Sequence, residues 1–157
     1  MGRVTELELS AWRLFIKTHA TIIESIEQDL ADQKRVPLTT YDVLIALFEA
    51  PDRKLRFGEL NQKVVLSKSG LTRLVDRLER EGLIQREKSQ EDRRGAYAVL
   101  THEGELQLRK AWPVYARGIK QYFAEPLSDD EMRSLKSAFT VISKALQSSH
   151  DKEEKPS

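Results

Sequence analysis

Apolar side chains recur at spacings of three and four along the first thirty residues. The repeating positions are Leu7, Ala11, Leu14, Phe15, Ile22, Ile26 and Leu30. Because an α-helix repeats every 3.6 residues, this spacing predicts one long amphipathic helix that ends before Pro37.

Two shorter helical segments follow in the apolar pattern. Thr39 is expected to cap the second helix, with Asp42 three residues further on, and Pro51 is expected to end it. A short third helix is predicted by the apolar residues Phe57, Leu60 and Val64. The third helix is too short to be stable alone, so it must pack on its neighbours.

A fourth helix shows the clearest separation of an apolar and a polar face. Ser67 is expected to cap it, and Gly82 supplies the left-handed residue after its last turn. The inward stripe is formed by Leu71, Leu74, Val75 and Leu78. The outward face then carries Lys68, Ser69, Thr72, Arg73 and Arg77. We therefore predict that this outward face is the surface that contacts a binding partner.

Two partly alternating runs, 83–88 and 96–100, flank a polar loop and predict two antiparallel strands. The loop contains Asp92, Arg93 and Arg94. A carboxylate two residues before an arginine can orient its guanidinium by a charge-assisted hydrogen bond. Asp92 is therefore predicted to orient Arg94.

The C-terminal part of the chain predicts two further helices. Thr101 is expected to cap the fifth, and the capping box at 128–131 opens the sixth. The terminal helical regions, about 5–34 and 101–147, need a surface that buries their apolar stripes. Packing against each other and against a second copy would bury them, which predicts a homodimer. Residues 148–157 are predicted to form a disordered tail.

An excess of positive charge lies on the segment that contains the fourth helix and the hairpin. Residues 53–101 hold 12 Lys/Arg and 7 Asp/Glu, whereas the remaining residues hold 14 and 18, although the net charge of the chain is only +1. A basic helix followed by an arginine-tipped β-ribbon is the arrangement of a winged helix-turn-helix that binds duplex DNA. The predicted fold is mainly α with a small β-wing, and its DNA-binding lobe covers about 39–101 of a single protomer at 1–147.

Composition excludes several other classes of function. The chain has no cysteine, which excludes disulfides and thiolate metal sites. It also lacks the Gly-x-Gly, Gly-x-Ser-x-Gly and His-Glu-x-x-His motifs of common enzymes. Its three histidines, His19, His102 and His150, do not have the spacing of metal ligands. We expect no enzymatic activity, cofactor or metal. No membrane span or secretory pattern is found, so a cytoplasmic location is expected.

The motifs in order resemble the multiple-antibiotic-resistance regulator (MarR) family of bacterial transcription factors. The match covers about Leu7 to Leu146. It rests on LSKSGLTRLVDRLE at 66–79, EGLIQR at 81–86, DRR at 92–94, LT at 100–101 and Gly104. The resemblance implies a six-helix winged-helix protomer in a two-fold dimer, bound to DNA as a repressor of a palindromic operator.

The resemblance also implies roles for individual residues. Arg94 is expected to enter the minor groove, and Arg93 and Arg86 are weaker phosphate candidates. Lys68 is a phosphate candidate, and at least one of Arg73 and Arg77, one turn apart on the outward face, is expected to reach phosphates or guanine edges. Asp76, an anion, is expected to pair with a nearby arginine instead. An effector pocket for a small aromatic or anionic compound is implied near Trp12, Arg13, Phe15, His19, Tyr41, Trp112 and Tyr115.

Two alternatives share the predicted fold. Some winged helices bind proteins through the same surface, so the fold alone does not decide the function. A ligand-independent architectural DNA-binding protein is the second alternative. The arginines of the fourth helix and the hairpin favour DNA over an apolar protein partner, because nucleic-acid affinity comes largely from neutralised phosphates.

Overall fold

A computed structural model describes residues 2–88 and 95–153 of the chain. Within these ranges it contains six α-helices and a three-stranded antiparallel sheet. The chain divides into two compact units between Gly118 and Ile119. The predicted fold class, mainly α with a small β-wing, is confirmed.

Helices α1 to α3 form the first part of the larger unit. Their bounds are Glu6–Asp32 for α1, Leu38–Glu49 for α2 and Phe57–Lys63 for α3. Most apolar residues of α2 are buried, as are Ile26 and Leu30 near the C-terminal end of α1, whereas residues 6–21 of α1 are all exposed. The core of this unit therefore lies around α2.

The predicted cap of α2 was wrong. Pro37 stands at the N-cap position, and Thr39 lies inside the first turn. The backbone N–H of Leu38 instead donates to the Glu27 carboxylate of α1 at 3.0 Å. A side chain eleven residues away thus satisfies a helix-end donor that a local cap was expected to satisfy.

The sheet has one strand more than the sequence predicted. The strands are β1, Lys54–Arg56, β2, Ile84–Lys88, and β3, Ala96–Leu100, in the order β1-β3-β2. β3 pairs antiparallel with both neighbours. β1 is only three residues long, too short for a period of two to be visible in the sequence.

Helix α4, Lys68–Arg80, precedes the hairpin, and α5, His102–Gly118, follows it. Gly82 has φ 74°, the left-handed conformation predicted for it after α4. The Thr101 hydroxyl donates to the Gly82 carbonyl at 2.7 Å and accepts from the Gly104 N–H at 3.0 Å. The predicted Thr101 cap is thus confirmed, and it joins the start of α5 to the end of α4.

The second unit contains a π-helical segment, Ile119–Ala124, and helix α6, Asp129–Glu153. The predicted capping box is confirmed, because Ser128 N–H donates to the Glu131 carboxylate at 2.8 Å. Disorder was expected from residue 148, but α6 continues to Glu153. Nothing between 148 and 153 breaks a helix, and the first proline in this region is Pro156.

Candidate nucleic-acid interface

Helix α4 has one buried and one exposed face, as predicted. Ser67 caps it by accepting a hydrogen bond from the Gly70 N–H at 3.1 Å. The stripe formed by Leu71, Leu74, Val75 and Leu78 is buried. Burying these four side chains fixes the rotation of the helix, so its opposite face must point to solvent.

The five binding residues predicted on α4 all lie on that exposed face. They are Lys68, Ser69, Thr72, Arg73 and Arg77. Their hydroxyls already have local partners. Thr72 donates to the Lys68 carbonyl at 3.0 Å, and the Ser69 oxygen lies 3.3 Å from that of Ser67. Within residues 2–88 and 95–153, the Arg73 side chain forms no hydrogen bond or ion pair, so its donors are available to an incoming anion.

Arg77 is held by two groups of the protein. Its Nη2 donates to the Thr40 hydroxyl of α2 at 3.3 Å, and its Nε lies 3.7 Å from the Glu81 carboxylate. The side chain is 47% exposed. Arg77 therefore presents part of its guanidinium to solvent from a fixed position. The sequence contained no signal for the Thr40 contact.

Arg86 on β2 binds two carboxylates of α4. Its Nη2 pairs with Asp76 and its Nη1 with Glu79 at 2.9 Å, and its guanidinium lies 5.5 Å from the centre of the Phe57 ring. The predicted pairing of Asp76 with an arginine is confirmed. Because both carboxylates neutralise Arg86, this residue connects the wing strand to α4 and is poorly available to phosphates.

A polar groove of about 360 Å³ runs along this part of α4. It is lined by Arg73, Asp76, Glu79, Arg80 and Arg86. The two carboxylates lie on the Arg86 side, whereas Arg73 and Arg80 have no ion-pair partner in the described part of the chain. The groove can therefore accept an anion at Arg73 and Arg80.

The hairpin strands pair in register from Ile84↔Leu100 to Lys88↔Ala96. The pairing starts at the end of α4 and runs toward the loop that joins the strands. Three predicted site residues, Asp92, Arg93 and Arg94, lie outside the described residues.

The solvent-facing side of the sheet carries a second group of charges that the sequence analysis did not identify. The Arg56 Nε donates to the Tyr97 hydroxyl at 3.2 Å, and Lys54 pairs with Glu87 at 3.3 Å. The Lys54 Nζ also lies 5.1 Å from the centre of the Tyr97 ring. β1 places both cations there, and only the missed strand explains their arrangement.

The aromatic residues of the predicted effector pocket form two groups. On α2 and α5, Tyr41 stacks on Trp112 at 6.4 Å and meets Tyr115 edge-on at 5.0 Å between ring centres. On α1, the Phe15 ring lies 5.9 Å from that of Trp12 and 6.2 Å from that of His19. Arg13 lies exposed on the same helix.

Ionisable groups on α2 and α5 have shifted pKa values. Burial raises the pKa of Asp42, and the negative charge of Glu27 raises it further. Burial also raises the pKa of Tyr41 and of Tyr115, with smaller contributions from neighbouring acidic groups. Each shift reflects the cost of placing a negative charge on that side chain at its partly buried position.

Residues 2–88 and 95–153 contain no group of three or more His, Cys, Asp or Glu side chains that could hold a metal ion. They also contain no helix with the length and apolar character needed to cross a membrane.

Comparison with known proteins finds relatives across most of the chain. Residues 36–95, which include α4 and the first hairpin strand, β2, match the model of the MarR family. YkoM of Bacillus subtilis, described as an uncharacterized HTH-type transcriptional regulator, is 30% identical over 130 residues. That alignment covers 83% of this chain and 82% of YkoM.

Two solved structures of similar fold come from Streptomyces coelicolor. Sco3205, a MarR family transcriptional regulator in complex with DNA, matches with a TM-score of 0.87 and 29% identity, covering 94% of this chain and 92% of that one. AbsC, another MarR family regulator, matches with a TM-score of 0.85 and 28% identity, covering 94% and 99%.

Proposed function

The chain belongs to the MarR family of DNA-binding transcriptional regulators, and from this premise we propose that it is a dimeric repressor of a palindromic operator. In the proposal, α4 enters the major groove and the wing contacts the neighbouring minor groove. A small aromatic or anionic effector releases the protein from DNA.

One observation carries the DNA-binding surface of this proposal. α4 exposes Lys68, Arg73 and part of Arg77 on the face opposite its buried stripe. Arg73 has no partner within the described ranges, and α4 exposes no large apolar side chain on that face. This chemistry suits phosphates and guanine edges better than an apolar protein partner.

Dimerisation is supported by the apolar residues that α1 exposes. Leu7, Trp12, Leu14 and Phe15 are 78%, 59%, 66% and 42% exposed. Helix α6 separately exposes Val141, Ile142 and Leu146. Large exposed apolar surfaces mark interaction sites, and a second copy is the occupant that a two-fold operator requires. Two copies would place their α4 helices about 34 Å apart on the DNA.

The aromatic group formed by Tyr41, Trp112 and Tyr115 supports the effector part of the proposal. Trp112 is 51% exposed, so part of this aromatic surface is accessible from solvent. An aromatic ring can stack on it.

Binding to the DNA upstream of the protein's own gene tests the central proposal. Fluorescence anisotropy should show tighter binding to this duplex than to a scrambled one, with affinity falling steeply as salt rises. Arg73→Ala should weaken binding by roughly 1–3 kcal/mol and, if the contact is to a phosphate, lower the salt slope by about 1. Arg133→Ala, an exposed arginine of α6, is the matched control.

The outcomes separate the alternatives. Equal affinity for both duplexes would favour an architectural protein over a repressor. No binding at low salt would favour a protein-interaction module. An unchanged affinity of the Arg73 variant would contradict the assignment of the α4 face.

Two further measurements test the dimer and the effector. Deleting residues 4–16 removes half of the α1 stripe and should give a monomeric mass by light scattering; a dimeric mass would refute this part. Small aromatic acids should raise the midpoint of thermal unfolding and lower DNA affinity, since a ligand stabilises the state that it binds. A protein that no such compound stabilises would contradict effector release.

A further inference from the structure

Among the residues that the structure describes, Thr40 on α2 is the one buried side chain that is neither aliphatic nor aromatic. It is 2% exposed, and its hydroxyl oxygen accepts a hydrogen bond from Arg77 of α4 at 3.3 Å. A buried polar group without a partner costs free energy, so this contact satisfies Thr40 as well as restraining Arg77.

Three other helical threonines of this protein bond within their own helix. The hydroxyls of Thr21, Thr72 and Thr140 donate to the carbonyl four residues earlier, at 2.7–3.0 Å. Thr40 instead uses its oxygen as an acceptor for a side chain of another helix. Its contact is therefore a tertiary interaction, and a helix-forming role alone does not explain the hydroxyl at this position.

The position of Thr40 is fixed by the packing of α2. Its neighbours Tyr41, Val43 and Leu44 are all buried, with exposures of 6%, 0% and 0%. Side chains in a close-packed core keep one position. The hydroxyl thus gives Arg77 a rigid partner.

Arg77 has the opposite character, since its side chain is long and 47% exposed. Thr40 holds Nη2 and Glu81 lies 3.7 Å from Nε, which restrains the guanidinium on two sides. A guanidinium has five N–H donors, so several remain for DNA after these contacts. A side chain that is already ordered loses less conformational entropy when it binds.

We propose that Thr40 is a positioning residue for DNA recognition: its buried hydroxyl presets Arg77 of α4 for contact with the operator. The inference rests on the proposed function, because it assigns a role in DNA binding. Thr40 itself touches no DNA in this proposal and acts through Arg77 alone.

A double-mutant cycle with Arg77 tests the inference. Thr40→Val keeps the shape of the side chain and removes the acceptor, and Thr40→Ser keeps the acceptor. The measurement is the affinity of each variant for the upstream duplex, by anisotropy at one salt concentration. Thr40→Val should weaken binding about 3- to 10-fold, the effect of losing one hydrogen bond, whereas Thr40→Ser should stay within about twofold of the parent.

The decisive comparison is made in the Arg77→Ala background. There, Thr40→Val should change affinity less than about twofold, because the residue that it positions is gone. An equal loss in both backgrounds would show a structural role and overturn the inference, as would full affinity of Thr40→Val or of Arg77→Ala in the parent protein. Far-UV circular dichroism verifies the fold of each variant, and exposed Thr39→Val is the control.

Failure of the inference is distinguishable from failure of the proposed function. If the parent protein shows no preference for the upstream duplex, the proposed function fails and the inference falls with it. If the parent and Thr40→Ser bind but the cycle shows no coupling, the inference alone fails.

Discussion

Replacing Arg86 by methionine is expected to lower the free energy of unfolding by about 1–2 kcal/mol. The substitution keeps the apolar stem and removes the contacts to Asp76, Glu79 and the Phe57 ring. The paired side chains are 36–47% exposed, so solvent reduces each ion pair to about 0.2–1 kcal/mol. The cation–π contact adds about 0.5–1 kcal/mol.

Urea unfolding at one fixed protein concentration measures this loss. The midpoint should fall while the m value stays constant, because the surface exposed on unfolding is nearly unchanged. Adding Asp76→Asn and Glu79→Gln to the Arg86→Met variant should recover part of the stability, since no unpaired carboxylates then remain. Arg80→Met is the matched control, because Arg80 lines the same groove without an ion pair among the described residues.

The opposite result would restore the interpretation of Arg86 as a phosphate contact. In that case Arg86→Met would leave the free energy of unfolding unchanged and lower the salt slope of DNA binding by about 1. This pair of observations would refute the reasoning that Arg86 joins the wing to α4.

Two further predictions concern stability. Gly104→Ala should destabilise the protein by about 1–3 kcal/mol in thermal or urea unfolding, because the added Cβ would overlap the Leu83 carbonyl oxygen. Gly58→Ala should cause no such loss, because the space around its added Cβ is open. Equal effects of the two substitutions would contradict the steric argument. Burial and Glu27 raise the pKa of Asp42, so the folded state binds a proton more readily than the unfolded state and stability should fall as pH rises above the ordinary carboxyl range. Asp42→Asn should flatten this pH dependence in urea unfolding, and an unchanged slope would exclude Asp42 as its source.

Local features of this protein could be predicted because their causes lie within a few residues. Ser67, Thr101 and Ser128 each meet backbone N–H groups three residues away, so the sequence pattern already contains both partners. Gly82 likewise shows the positive φ that its position after α4 predicted.

Predictions failed where the cause was distant in the chain. Thr39 was expected to cap α2, but Glu27 of α1 supplies the acceptor instead. β1 was missed because its pairing partner β3 lies about forty residues further along, and three residues show no clear period. A pattern over a few neighbouring residues cannot predict a hydrogen bond whose second partner is distant in the sequence and comes close only when the chain folds.

The apolar period of α4 fixes which of its faces is buried, because an apolar stripe at helical spacing can be buried in one orientation only. The residue pattern likewise indicates that the opposite face and the hairpin are basic. The role of each arginine follows from the fold: Arg73 has no partner among the described residues, Arg77 is held by buried Thr40, and Arg86 is neutralised by Asp76 and Glu79. A charged group pairs with whichever group packing brings within hydrogen-bond distance, and the periodicity of one segment carries no information about that distance.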